Sequence, residues 1–276
     1  MSELLPVART YLFVPGMRPE RFGKALASGA DAVVLDLEDA VAPEDKAAAR
    51  SHIAGWLRDA APQDRARAVV RINDAASAWF ADDLAALSGT GVTQILLPKA
   101  EQAAQVAAVL QALPGVQVLA LIESARGVAE VEQVAGAAGV TRLVFGTLDY
   151  ALDLDLDIRH DAVGLGYAAA RIAIASRLAG LAAPVAGVTP QFDDETRLLA
   201  DLSLARCNGF GAKLCIHPGQ VAPIHRALQP SEAELTWARR VLAADAATPG
   251  AARLDGRMVD LPVVRLARRT LLSAGR

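Results

Sequence analysis

Cysteine is scarce: two occur in 276 residues, Cys207 and Cys215. They match no metal or redox spacing, which excludes a disulfide framework and suggests a reducing compartment. No basic stretch stands out and the net charge is −3, so nucleic acid is not an expected partner. A few local arginines still suffice to hold small anions. Met1 to Arg9 lacks a cationic segment followed by an apolar core, so no secretory signal is read and a cytoplasmic location is expected. Gln102 to Ile122 carries no charge, yet four glutamines and Pro114-Gly115 break it. Val106, Val109, Leu110 and Leu113 follow helical spacing and Val116 to Ile122 reads as a strand, so no membrane association is expected. No G-x-G-x-x-G follows the first strand, and no Ser-His-Asp or Cys-His arrangement is identifiable.

What is present is an alternation of short apolar runs with Ala- and Leu-rich helical stretches. Strands are expected at Thr10–Val14, Ala32–Leu37, Ala68–Ile72, Gln94–Leu97, Gln117–Ile122, Arg142–Phe145, Pro184–Val188 and Ala212–Ile216. Apolar strands without clean alternation suit a parallel sheet buried on both faces. Eight βα units in tandem predict an α/β chain folded as a (β/α)8 TIM barrel over residues 1–230, with an open doubly wound sheet as the alternative. Beyond it, Ser231 to Glu234 forms a capping box that opens a helix. Asp255-Gly256 then marks a hairpin and a last helix follows, so residues 231–276 are expected to form a helix-hairpin-helix arm free to pack on a neighbouring subunit.

In such a barrel the C-terminal strand ends gather at one rim, where active sites form. Asp36, Glu38 and Asp39 follow strand 2, Arg71 and Asn73 end strand 3, and Lys99 ends strand 4. Glu123 ends strand 5, Asp149 is placed at the end of strand 6, and His217 ends strand 8. Glu123 and Asp149 suit a hard divalent cation, which takes oxygen ligands and often only one or two carboxylates. The alternative is that each pairs with a base such as Arg126 or Arg142. Arg71 offers a fork for a substrate carboxylate, or else a salt bridge to the acids after strand 2. Lys99 is read as leaning on one of those acids, and Asp36, Glu38 and Asp39 as groups that orient Arg71 and water. His217, before Pro218, reads as a rigid turn.

These residues stand in strings that resemble the citrate lyase beta-subunit and malyl-CoA lyase family of the aldolase/citrate lyase superfamily. The strings are Arg9-Thr-Tyr-Leu-Phe-Val-Pro-Gly16, Asp36-Leu-Glu-Asp-Ala-Val41 with Lys46 and Arg50 after it, Val70-Arg-Ile-Asn73 and Leu97-Pro-Lys99. Leu121-Ile-Glu-Ser124, Phe145-Gly-Thr-Leu-Asp-Tyr150, Gly211-Ala-Lys-Leu-Cys-Ile-His-Pro218 and Asp255-Gly-Arg-Met-Val-Asp260 continue the order to the C-terminus. The resemblance implies a trimer or hexamer that uses Mg²⁺, or Mn²⁺, on a CoA thioester. It implies cleavage of a malyl-, citramalyl- or citryl-CoA type substrate to an acyl-CoA and a 2-oxoacid. By the same resemblance Glu123 and Asp149 match the metal ligands, and Arg71 matches the arginine on the oxoacid carboxylate. Gly146, Thr147 and Leu148 match substrate contacts, and Asp260 matches the general acid/base supplied by a neighbouring subunit. Leu148 stands where many relatives carry another residue, and Gly187 to Gln191 lacks an acid often seen there. Arg9, Arg18 and Lys24 are weak candidates for CoA contacts because they flank the first βα loop. The other readings are a beta-subunit acting on a carrier-bound citryl group within a citrate lyase complex, and a non-catalytic scaffold. The intact Arg71, Glu123, Asp149 and Asp260 set argues against the scaffold.

Overall fold

The computed structural model describes residues 7–159, 162–248 and 252–274. It divides into a unit of Val7–Ile224 and a second unit from His225 onward.

The first unit is a closed parallel barrel in which eight strands pair in sequence order. They are β1 (Thr10–Pro15), β2 (Ala32–Asp36), β3 (Ala68–Arg71), β4 (Gln94–Leu97), β5 (Gln117–Ile122), β6 (Val140–Phe145), β7 (Val185–Ala186) and β8 (Ala212–Cys215). β1 closes the ring on β8, with Tyr11 opposite Leu214, so the open doubly wound alternative is set aside. β7 is shorter than expected. Pro184 before it has no N–H to give the ladder, and Gly187 after it is pressed by Thr147, where an added Cβ would also lie 2.9 Å from the Phe145 carbonyl.

Every strand gives side chains to one apolar cluster, including Tyr11, Val34, Val69, Leu96, Leu121, Val144, Val185 and Leu214. Only the barrel interior can bring all eight strands together. Side chains alternate along a strand. The positions two residues beyond Val34, Val69 and Leu121 are Asp36, Arg71 and Glu123, so these polar groups sit on top of the packed layer at its C-terminal end. Their low exposure, 1%, 8% and 4%, follows from that placement.

In the second unit the helix Glu232–Ala247 opens with the expected capping box of Ser231 and Glu234. The hairpin pairs β9 (Ala252–Leu254) with β10 (Arg257–Val259). Asp255 and Gly256 both take positive φ, 50° and 76°, as a two-residue type I′ turn requires. Val241, Val259, Val264 and Ala267 form this unit's own core with the helix Leu261–Ala274. Among the described residues no helix is long and apolar enough to cross a membrane.

Candidate active site

Glu123, just past β5, is fixed from two sides. Its Oε1 accepts the backbone N–H of Lys99 at 2.8 Å. To present that N–H, Lys99 adopts φ 44°, a left-handed conformation that costs a non-glycine residue on the order of 1–3 kcal/mol. From β6, Gly146 lies so close that an added Cβ would stand 2.5 Å from the Glu123 Cβ, so no larger residue fits. Burial pushes the Glu123 carboxyl up to about 7, the Lys99 N–H opposes the rise, and the Asp149 charge adds to it.

Asp149 is not on the strand end where the sequence placed it. β6 stops at Phe145, and Asp149 lies in the first turn of the helix Thr147–Asp153. Neither Glu123 nor Asp149 forms an ion pair among the described residues. The bases considered as partners are engaged elsewhere: Arg126 is 3.9 Å from Glu101, and Arg142 donates to the Ala183 carbonyl at 2.7 Å. The described residues hold no group of three or more His, Cys, Asp or Glu side chains that could bind a metal. A pair of carboxylates is a thinner set, one that fits Mg²⁺, which keeps several waters and substrate oxygens among its ligands. The Glu123 side chain takes the place that a Cβ on Gly146 would fill, so the glycine serves to seat one of the two carboxylates.

The opposite side of the mouth is charge-paired. Arg71 grips Asp36 with two bonds, Nε to Oδ1 at 2.7 Å and Nη2 to Oδ2 at 2.6 Å. Its Nη1 donates to Asp39 at 3.1 Å. The same Nη1 lies 2.7 Å from Glu38 Oε2, but out of hydrogen-bonding alignment, so that buried oxygen has no hydrogen-bond partner. Burial, opposed by the Arg71 charge, drives the Glu38 carboxyl up to about 8. The salt-bridge alternative for Arg71 is thus what the structure contains. The guanidinium also lies 4.9 Å from the Phe13 ring centre.

Beneath this half lies a network that sequence reasoning missed. Lys46 Nζ donates at 2.7 Å to each of the Leu37 carbonyl, the Glu38 carbonyl and Asn73 Oδ1, and so pins the loop after β2. Asp83, fully buried in the helix Phe80–Leu87, accepts from the Asn73 N–H at 2.8 Å and its amide at 2.6 Å, and from Arg50 at 3.1 Å. An acid beside Leu84 on the buried face of a helix was the available signal.

The remaining candidates separate. The Lys99 side chain stands 3.9 Å from Asp74 and is also acted on by the charges of Glu38 and Asp39 after β2, while its backbone N–H holds Glu123. Leu148 is 44% exposed, and Thr147 packs on Gly187. Arg18 pairs with Glu20 at 2.6 Å on the surface, the Arg9 N–H donates to Asp31 at 2.7 Å, and Lys24 is exposed; among the described residues none of the three is hydrogen-bonded or ion-paired to Glu123. His217 Nδ1 accepts from the Gly219 N–H at 3.1 Å, the turn role expected. Asp260, in the second unit, follows β10 and accepts the Val263 N–H at 3.2 Å, so locally it caps the last helix.

Comparison with known proteins agrees with this architecture. A citrate lyase subunit beta-like protein of Mycobacterium tuberculosis is 41% identical over 270 residues, covering 96% of this chain and 95% of that one. A (3S)-malyl-CoA thioesterase of Cereibacter sphaeroides is 35% identical, covering 96% and 94%. The crystal structure of protein CitE from M. tuberculosis in complex with magnesium, acetoacetate and coenzyme A superposes with a TM-score of 0.88 at 38% identity, over 99% of this chain and 100% of that one. With its residues 9–218 matching the model of that family, the chain belongs to the HpcH/HpaI aldolase/citrate lyase family.

Proposed function

We propose that this protein is a Mg²⁺-dependent lyase that cleaves the carbon–carbon bond of a 3-hydroxyacyl-CoA thioester of the malyl-, citramalyl- or citryl-CoA type. The products are an acyl-CoA and a 2-oxoacid. The observation that carries the proposal is the pair Glu123 and Asp149, two carboxylates that form no ion pair among the described residues, at a barrel mouth where Arg71 is paired with Asp36 and Asp39. The magnesium and coenzyme A bound to the M. tuberculosis CitE protein support it.

Glu123 and Asp149 would hold the ion, which when bound supplies Lewis acidity to the substrate's hydroxyl and carboxylate oxygens. Arg71, held flat by Asp36, receives the carboxylate that becomes the oxoacid's. Glu38 and Lys99 set the charge around it. The substrate hydroxyl gives its proton to water acting as base, the C–C bond breaks, and its electron pair passes to the thioester as an enolate. Asp260 of the partner subunit, brought by an arm that packs on a neighbouring copy in a trimer or hexamer, then donates the proton that makes the acyl-CoA. In reverse it removes that proton before condensation. Gly146, Thr147 and Leu148 would line the acyl side.

Asp260→Asn tests the assignment cleanly, because Asn caps a helix as well as Asp does. Turnover should fall about a hundredfold or more with unchanged oxoacid binding and melting temperature; unchanged kcat would refute the role. The relative named a malyl-CoA thioesterase favours a second reaction at the same site, attack of water on the thioester. Assay of malyl-CoA products separates the two: a 2-oxoacid with acetyl-CoA marks cleavage, and malate with free CoA marks hydrolysis.

A further inference from the structure

A cavity of about 570 Å³ lies on the outer side of β6–β8, beneath the helices Gly166–Leu178 and Glu195–Cys207. That size falls within the range of small-molecule sites. Phe145, Ala169, Ala186 and Phe210 give it an apolar lining. Phe145, Ala186 and Lys213 alternate with the interior residues Val144, Val185, Ala212 and Leu214, so the cavity faces away from the barrel centre.

Lys213, in this lining, is 2% exposed. Its Nζ donates to the Gly187 carbonyl at 2.7 Å, and it forms no ion pair among the described residues. Asp201, whose charge acts on it, is already engaged: it accepts from Thr189 Oγ1 at 2.7 Å and from Arg197 Nε at 2.9 Å. A buried ammonium with spare donors and no counter-ion is costly unless something pairs with it. Burial accordingly pushes Lys213 down to about 8. Arg159 is paired with Asp157 and Arg197 with Asp201, which leaves Lys213 as the lining cation without an ion pair among the described residues and favours an anion.

We propose that this cavity is a second ligand site, built for a small monocarboxylate whose head pairs with Lys213 and whose hydrocarbon body lies against Phe145, Ala186 and Phe210. Thr147 and Leu148, assigned above to the acyl side of the mouth, also stand in this wall, so the cavity adjoins the mouth, but its anion partner, Lys213, has no part in the reaction proposed there.

Hexanoate is the probe, titrated calorimetrically into the full chain. Saturable binding of one hexanoate per chain is expected. Lys213→Met should weaken it about tenfold or more, the worth of one charge-assisted hydrogen bond. Ala205→Phe, which fills the cavity from the Glu195–Cys207 helix, should weaken it at least as much. Glu123→Gln should leave it unchanged, which separates this site from the mouth. Absence of binding to the wild-type chain, equal affinity in Lys213→Met and Ala205→Phe, or loss in Glu123→Gln would each overturn the proposal. A crystal soaked with 6-bromohexanoate needs no variant: anomalous bromine density beside Phe145 and Phe210 supports the site, and bromine found only elsewhere refutes it.

Discussion

The two halves of the barrel mouth treat charge in opposite ways. Around β2 and β3, Arg71 is bonded to Asp36 and Asp39 and lies against Glu38, while Lys46, Asn73 and Asp83 anchor the loop below. Around β5 and β6, Glu123 has one backbone N–H and Asp149 has no ion pair among the described residues. The first half carries its own counter-charges and is preorganised without a ligand. The second is a pair of like charges that becomes favourable when a cation arrives. Substituting one residue in each half should therefore have opposite consequences.

The largest effect falls on the paired half. Arg71→Met leaves Asp36 buried without its cation, and loss of about 3–5 kcal/mol is expected in urea unfolding. Glu123→Gln, in the unpaired half, should leave the metal-free protein as stable as before or more so, because it removes a desolvated carboxyl that lacks a counter-ion. It should nevertheless abolish Mg²⁺ binding by calorimetry and lower turnover about a hundredfold or more. Equal destabilisation by the two variants would break the contrast.

The pH dependence sharpens it. Burial raises Glu123 from 4.5 to about 7 and Glu38 from 4.5 to about 8. Between the ordinary and the raised values the folded chain binds more protons than the unfolded chain, so metal-free stability falls as pH rises from about 5 to 8. Mg²⁺ displaces the Glu123 proton, so its affinity should climb by up to about tenfold per pH unit to about pH 7 and level off above. Melting curves at pH 5, 6, 7 and 8, with and without Mg²⁺, check both slopes. The smallest effect is Asp83→Asn, which keeps the shape but loses charge-assisted bonds to Asn73 and Arg50. About 1–2 kcal/mol of stability should go, with Mg²⁺ affinity unchanged.

Much of this mouth was legible in the sequence because strand ends are local signals. Apolar runs fixed by Val, Ile and Leu located β4 and β5 to the residue, and parity along a strand then put Asp36, Arg71 and Glu123 on one rim. β6 ends at Phe145 as expected, and Asp149 lies beyond it because the chain passes at Gly146 straight into the helix Thr147–Asp153, whose first turn carries it. Lys99 also acts through its backbone N–H on Glu123, which side-chain chemistry does not announce. Lys46, Asn73 and Asp83 meet across 27 and 10 positions of chain, and the Lys213 cavity likewise exists only once helices pack over β6–β8. Asp260 is singled out by its string alone, while an acid just before Leu261 is also an ordinary N-cap signal, and the structure shows it accepting the Val263 N–H.

Anomalous diffraction from a crystal soaked with Mn²⁺ and pyruvate tests the shared-cation account most directly. One manganese peak about 2.0–2.3 Å from a carboxylate oxygen of both Glu123 and Asp149 is the expected result. A peak bound by only one of them, or no peak at the mouth with the two side chains turned apart, would contradict it.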